Sequence, residues 1–542
     1  ALAHSRGSAM ARGRWKALEG GGGTERDSEA YGGEGASEGL ELTLEGALGT
    51  TGIGRFQVLV ICLCGLANAA DAVEVLAASF LLPTAGPELG MDDVSKAALQ
   101  ASVFAGMLGG ALVGGSLADA RGRKFAMAVC MAVTAMFGAL SAVGDSILML
   151  VGCRALAGLG VGGSAPLAFS YASELTPAHV RGKVMMLVAA QYMVGSLATV
   201  GLAATLMPLA GWRGFSAAAA APAALCCVLV LLFMPESPRY LLVQGDSDGA
   251  MRVLRQMAAA NRVRGPAPGA ALTPLAVDSQ YDGGGIRGWA RRARCLLAVP
   301  ALRRSTLSLA LAWFAISFGW YGNMLYLPTL FAKQEGGATA APPPPMVPGG
   351  DSPAAEGHLP SAVYVDAALV AAANLPGNLA SIWLVDWAGR KRTLICTMGL
   401  GGISAVLVGF APQTAAWSVA AGVIFNGLTV GGWNAIAALT SEVFPTPVRA
   451  TAGGLVSACG RIGGASSGLC QATAKLFGDV APLVVGGIVM MTGSLAVSLG
   501  VDGDTAGRAL ADTIAEGGDE GSGEADALLR IGVGGNSSAD GR

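Results

Sequence analysis

An all-α integral membrane fold, twelve transmembrane helices in two pseudo-symmetric halves of six, is what this sequence predicts, and three observations carry the prediction. The chain's 542 residues are 53% hydrophobic and 13% charged, with 81 glycines, far more apolar than a soluble domain of that length. About twelve apolar runs punctuate it, each close to the roughly 20 residues that cross a hydrocarbon core of about 30 Å. Two loop cassettes occur twice. GSLADARGRK, with Asp119, Gly122, Arg123 and Lys124, returns as IWLVDWAGRK, with Asp386, Gly389, Arg390 and Lys391, 267 positions later. YASELTPAHVRG, with Glu174, Pro177 and Arg181, returns as LTSEVFPTPVRA, with Glu442, Pro445 and Arg449, at an offset of 268. A repeat that long in so apolar a chain marks an internally duplicated membrane protein.

In chain order, residues 1–54 are rich in Gly, Glu and Ser without periodicity and read as a disordered tail. The first half, 55–234, holds runs near 56–82, 97–118, 125–144, 147–173, 184–207 and 213–234. A linker follows over 235–304. Met251, Leu254 and Met257 have helical spacing in its first part. Its end mixes Trp289, Leu296 and Leu297 with arginines from Arg287 to Arg304, which suits either contact with anionic lipid or a simple stop to translocation. The second half, 305–500, holds runs near 305–331, 361–384, 393–411, 416–440, 451–474 and 482–500, with a polyproline spacer, APPPPMVPGG, in the loop over 332–360. Residues 501–542 form an acidic, Gly-rich tail.

The net charge of −2 hides a concentration of Lys and Arg in alternate loops. Positive-inside counting therefore puts both termini, the linker and both cassettes in the cytoplasm, which requires an even number of spans. The cysteines fall in apolar runs, apart from Cys295 in the linker, and read as packing residues rather than a disulfide framework. Cys62 and Cys64 lack a second ligand pair for a metal. No catalytic triad, phosphate-cradling loop, metal cluster or nucleic-acid patch is present, so an enzyme, a cofactor, a nucleotide and a nucleic-acid partner are not expected; the expected partners are the lipid bilayer, a small molecule and protons, and the expected state is a monomer.

Charge inside the spans carries the functional expectation, because a buried ionisable group costs several kcal/mol unless it is paired, protonated or wet. Asp71 and Glu74 are three residues apart and share a helix face. At about 1.5 Å per residue, Asp71 lies about 22 Å from Phe56, and Arg154 lies about 10 Å in from Ile147 at the other membrane face, so their depths coincide. A carboxylate that holds Arg154 when ionised and releases it when protonated is a proton-coupling switch; a permanent structural pair is the alternative. Glu74 fits a titrating group, a substrate contact or a protonated bystander. Arg461, about 15 Å into span 11 if that helix starts near Thr451, suits a substrate carboxylate, a balance for Glu74 or a structural pair. Gln191, Trp320, Tyr321, Asn323, Asn426 and Trp433 are candidates for the cavity wall, although helix packing uses the same residue types. In the cassettes, Gly122 and Gly389 suit a tight turn. Asp119 and Asp386 can accept from helix N-termini, Arg123, Arg181 and Arg239 can pair with Glu174 and Glu236, and Arg390, Arg449 and Arg508 with Glu442 and Asp504.

GSLADARGRK resembles the signature between spans 2 and 3 of the major facilitator superfamily, and RALAGLGVGG resembles its Arg-and-Gly signature on span 4. PESPR, Pro235 to Arg239, with YASELTPAHVRG resembles the sugar-porter and organic-ion-transporter side of that superfamily. NAADAVEV, WFAISFGWYG and TSEVFPTPVRA are similar to its synaptic-vesicle-protein-related branch. The resemblance covers about 55–508. It implies alternating access, cytoplasmic latches that join the halves when the cavity opens outward, and Asp71 in the place of the acid that proton-symporting sugar porters use with the span 4 arginine. The short Cys-free loop from Pro83 to Lys96 departs from the organic cation and anion transporters, while the lack of Gln in LAWFAISFGWYGNM and of Gly-Pro in span 5 turns the expectation away from hexoses and multidrug antiport. A secondary active transporter for a small organic ion or zwitterion, coupled to protons and placed in the plasma membrane or an intracellular vesicle membrane, is the expected function; a facilitator and a non-transporting scaffold are the alternatives. Offset by 268, Arg154 falls on Gly422 and Arg461 on Met193, while Asp71 stands against Ile316. The halves match at the cassettes and differ inside the membrane.

Overall fold

The computed structural model describes residues 41–267, 270–273, 286–339, 359–408 and 414–501. Span 1 is Arg55–Glu88, span 2 Asp93–Arg121, span 3 Arg123–Leu140 and span 4 Ile147–Glu174. Spans 5 and 6 run through Ala178–Ala219 and Ala221–Phe233 and are divided at Gly211, whose φ of 63° no helix tolerates. Span 7 is Pro300–Thr339, span 8 the broken pair Ser361–Ala372 and Asn374–Trp387, and span 9 Arg390–Val408. Span 10 is Ala415–Val443, span 11 Thr446–Phe477 and span 12 Ala481–Gly500. By length and composition alone, nine of the described helical stretches qualify as membrane crossings, with Ala178–Phe233 counted once. The Gly211 bend, the Pro300 helix and the less apolar helix of Arg461 complete the twelve.

Short polar side chains set where several helices begin. Asp92, Ser146 and Thr414 accept from the backbone N–H of Ser95, Met149 and Trp417, satisfying first-turn donors that have no helical partner. Spans 2 and 4 pack through glycine: a Cβ at Gly106, Gly110 or Gly158 would collide with the backbone of the facing helix, which explains the glycine content as close helix packing. Pairings repeat between the halves. Spans 1 and 5, 2 and 4, 3 and 4, 3 and 6 pack together, as do their counterparts 7 and 11, 8 and 10, 9 and 10, 9 and 12. The halves meet through spans 2 and 11, 1 and 7, 5 and 8.

Both cassettes lie on one membrane face, called the basic face below. Contacts between the halves gather in the middle and toward the opposite face. There Gln100 Nε2 donates to Ser467 Oγ at 2.6 Å, and Phe80 stacks on Tyr364 with centroids 6.0 Å apart.

Residues 41–54, expected to be disordered with the rest of 1–54, are folded. Glu41–Leu42 pairs in parallel with Ala271–Leu272 of the linker, and Leu44–Thr50 is a helix capped by Thr43. Burial explains it: Leu44, Ala47 and Leu48 share a core with Met251, Leu254 and Met257 of the linker helix Ser247–Ala260. Asn261 then accepts from Phe56 N–H at 2.9 Å and donates to the carbonyls of Thr51 and Gly52. The polyproline stretch, Asp504 and Arg508 lie outside the described residues.

Candidate functional site

At the basic face the positive φ values of Gly122 (97°) and Gly389 (94°) turn the chain between spans 2 and 3 and between spans 8 and 9. A Cβ at Gly122 would strike the Glu236 carboxylate. Arg123 reaches Asp119 at 3.2 Å and Glu174 at 3.3 Å; Arg390 reaches Asp386 at 3.3 Å and Glu442 at 3.1 Å. The pairs with Glu174 and Glu442 were expected and those with Asp119 and Asp386 were not, and all four form within a half rather than between halves. Glu236, not Asp119, takes the helix N-terminus: Arg123, Lys124 and Ser237 N–H groups donate to it at 2.8, 3.3 and 2.9 Å. Burial pushes the Glu236 carboxyl up, and those three donors pull it back.

Arg181 departs from its expected partners. Arg123 already holds Glu174, and Arg181, in the first turn of span 5, instead donates to the Ser173 and Thr176 carbonyls that end span 4, and pairs with Glu45 at 2.7 Å. Arg449 likewise donates to the Phe444 carbonyl at 3.1 Å rather than pairing with Glu442. Arg239 is exposed, and the backbone donors occupy Glu236 in its place.

Inside the first half the expected pairing shifts by one helical turn. Arg154 binds Glu74, not Asp71, with Nη1 to Oε1 at 2.8 Å and both side chains 1% exposed. Its Nη2 donates to Ser141 Oγ at 3.1 Å and Ser216 Oγ at 3.3 Å. Gly138 lets the Glu74 carboxylate sit against span 3, since a Cβ there would lie 3.1 Å from both its oxygens. This pair is therefore enclosed among spans 1, 3, 4 and 6. Asp71 has a different neighbour. Ser164 Oγ lies 2.8 and 3.0 Å from its carboxyl oxygens and 3.0 Å from the Val161 carbonyl oxygen. One hydroxyl proton serves one acceptor at a time. Ionised Asp71 takes it; protonated Asp71 donates to Ser164, which then donates to Val161.

Arg461 stands on span 11, in the other half. Span 11 starts at Thr446, so Arg461 is about 22 Å in rather than about 15 Å, level with Asp71 at about 24 Å in span 1. Half-buried, it has Met107 Sδ at 3.7 Å from Nη1, and no ion pair reaches it from the described residues. Tyr192 of span 5 lies at the same level, its hydroxyl buried beside Tyr321.

A narrow cleft of about 50 Å³ lies between the halves, lined by Leu76, Ser79 and Phe80 of span 1, Ser196 and Thr199 of span 5, Trp320, Met324 and Phe331 of span 7, Asn374 of span 8 and Asn426 of span 10. Trp320 Nε1 donates to Asn426 Oδ1 at 3.0 Å, and Asn426 Nδ2 donates to the Val370 carbonyl at 2.7 Å. Tyr321 and Trp433 stand behind Trp320, with centroids 4.9 and 6.1 Å away, and Tyr321 meets Phe104 of the first half at 4.7 Å. Of the six expected wall residues only Trp320 and Asn426 line the cleft; Tyr321 and Trp433 sit behind it, and two lie elsewhere. Asn323, one position past Gly322 on the far side of the helix, faces a separate void with Ala405, Phe425 and Leu483 inside the second half. Gln191 packs on Gly65 where span 5 crosses span 1.

Sequence reasoning passed over Ser164 and Tyr192. A serine after Gly162 and Gly163 reads as small-residue packing, and its 93-residue separation from Asp71 offers no spacing cue. Tyr192 follows Gln191 directly and was open to the same aromatic reasoning as Tyr321.

A family model described as Major Facilitator Superfamily matches residues 59–468. Synaptic vesicle 2-related protein of Bos taurus is 30% identical over 424 residues, 78% of this chain and 73% of that protein. Putative transporter svop-1 of Caenorhabditis elegans is 27% identical, spanning 87% of each chain. Among solved structures, the xylose transporter XylE from E. coli in a partially occluded inward open conformation aligns with a TM-score of 0.60 at 18% identity, over 84% of this chain and 99% of that one.

Proposed function

The chain belongs to the major facilitator superfamily of membrane transporters, and from that premise we propose that it is a proton-coupled symporter of a small organic anion or zwitterion, working by alternating access with its basic face in the cytoplasm. The observation that carries the reading is the contrast between its two buried acids. Glu74 is neutralised by Arg154 and sealed within one half. Asp71 instead has no ion pair among the described residues and lies beside a hydroxyl that serves either protonation state. Asp71 is thus the titrating group, and the Glu74–Arg154 pair is structural. Arg461, level with Asp71 and without an ion pair, supplies the charge for a substrate carboxylate. The cleft beside Trp320 and Asn426 receives the rest of the molecule, and the bonded contacts toward the opposite face correspond to a state closed on the outside.

Uptake by the full chain in proteoliposomes, over a panel of labelled organic acids, amines and sugars, tests the proposal. Saturable uptake of an acid driven by an inward proton gradient is expected. Asp71→Asn is expected to lose gradient-driven accumulation while keeping equilibrium exchange; unchanged accumulation would overturn proton coupling through Asp71. Saturable exchange indifferent to the gradient in the unmodified chain would make it a facilitator, and no saturable flux at all would make it a scaffold.

A further inference from the structure

The helix Ile286–Ala298 at the end of the linker belongs to none of the twelve spans. Its stretch Trp289–Ala298 turns by 103° into Pro300–Gln334, so beside a span that runs along the bilayer normal it lies flat in the plane of the membrane. Arg292 fixes its height: Nε donates to Thr451 Oγ1 at 3.0 Å, five residues into span 11 and so about 7 to 8 Å from that helix's basic-face end. That is the level of lipid headgroups. One side of the helix is spent on the protein, with Cys295 1% and Leu296 0% exposed. The other side keeps Trp289 and Leu297 48% and 46% exposed. With Ala293 they are spaced by four residues and form one stripe, with the exposed Arg294 and Arg291 beside it on the Leu297 side. No Asp or Glu occurs from Ile286 to Arg304.

We propose that this helix is an interfacial anchor that docks on anionic phospholipid of the leaflet at the basic face. Trp289 and Leu297 enter the headgroup boundary, where amphipathic rings and partly buried aliphatic groups are favoured, and Arg291 and Arg294 pair with headgroup phosphate and carboxylate. Arginines that merely stopped translocation would need neither a flat helix nor two exposed apolar side chains beside them. Because the helix runs into span 7 after a single residue, the anchor couples the first helix of the second half to the charge of the leaflet.

The test uses the full chain in nanodiscs of phosphatidylcholine alone and of phosphatidylcholine with about 30% phosphatidylserine, followed by amide hydrogen exchange over 286–298. Anionic lipid is expected to slow exchange by about fivefold for each engaged arginine, and added salt to reverse the effect. Arg291→Gln with Arg294→Gln is expected to abolish the lipid dependence while leaving exchange in pure phosphatidylcholine unchanged. Equal exchange in the two lipids, read on the unmodified chain and so independent of how any variant folds, overturns the anchor. Inorganic phosphate added to phosphatidylcholine nanodiscs is expected to give no protection; if it matches phosphatidylserine, the helix binds soluble anions and the membrane reading fails.

Discussion

At the basic face the first half holds Arg123 between Asp119 and Glu174, and the second half holds Arg390 between Asp386 and Glu442, with all four distances from 3.1 to 3.3 Å. Inside the membrane the helix pairings repeat, but the charged and aromatic side chains do not. The first half buries Asp71, Glu74 and Arg154 among serine hydroxyls, while the second offers Trp320, Tyr321, Trp433 and Asn426, plus Arg461, which has no ion pair among the described residues. Duplication kept the part that both halves need, a charged turn that sets helix ends at the surface. It released the parts that only one half needs, and the proposed division follows that line: proton chemistry in the first half, a substrate carboxylate held from the second.

The sharpest way to break this division is at the buried ions. Arg154→Met strands the Glu74 carboxylate without its cation and is expected to cost about 3–5 kcal/mol, read as a lowered thermal midpoint of the detergent-solubilised protein. Glu74→Gln combined with Arg154→Met should recover most of that loss; a double variant as unstable as the single one would mean that the pair is not what the half depends on. Next in size is Arg461→Met. With no ion pair to break, it should change stability by less than about 1 kcal/mol, yet lower uptake of an anionic substrate by tenfold or more, chiefly through KM. Equal loss for anionic and neutral substrates would remove its assignment to the carboxylate. The smallest effect sharpens the symmetry: Arg123→Ala and Arg390→Ala should each cost about 1 kcal/mol, with side chains 19% and 20% exposed. A clear inequality between the two would show that the matched geometry conceals unequal roles.

Much of the fold was legible because its signals are local. Apolar runs gave the spans, Gly122 and Gly389 gave the turns, and the spacing of Met251, Leu254 and Met257 gave a linker helix. Where the sequence misled, the cause lay in contacts between distant segments. Residues 41–54 have a tail's composition, but Leu44 and Leu48 find a core on the linker. Arg181 looked equivalent to its neighbours as a partner for Glu174 until Glu45 came within 2.7 Å.

The candidate site divides the same way. That Asp71, Glu74, Arg154 and Arg461 lie within the membrane followed from hydrophobicity and a rise of about 1.5 Å per residue, properties of the chain alone. Which acid meets which cation did not. A shift of one turn, about 5 Å, exchanges Asp71 for Glu74 opposite Arg154, and only the packing of spans 1, 3, 4 and 6, with Gly138 leaving room for a carboxylate, decides between them. Depth is written along one helix, but partnership depends on the rotation and register of several, and those are set by tertiary structure.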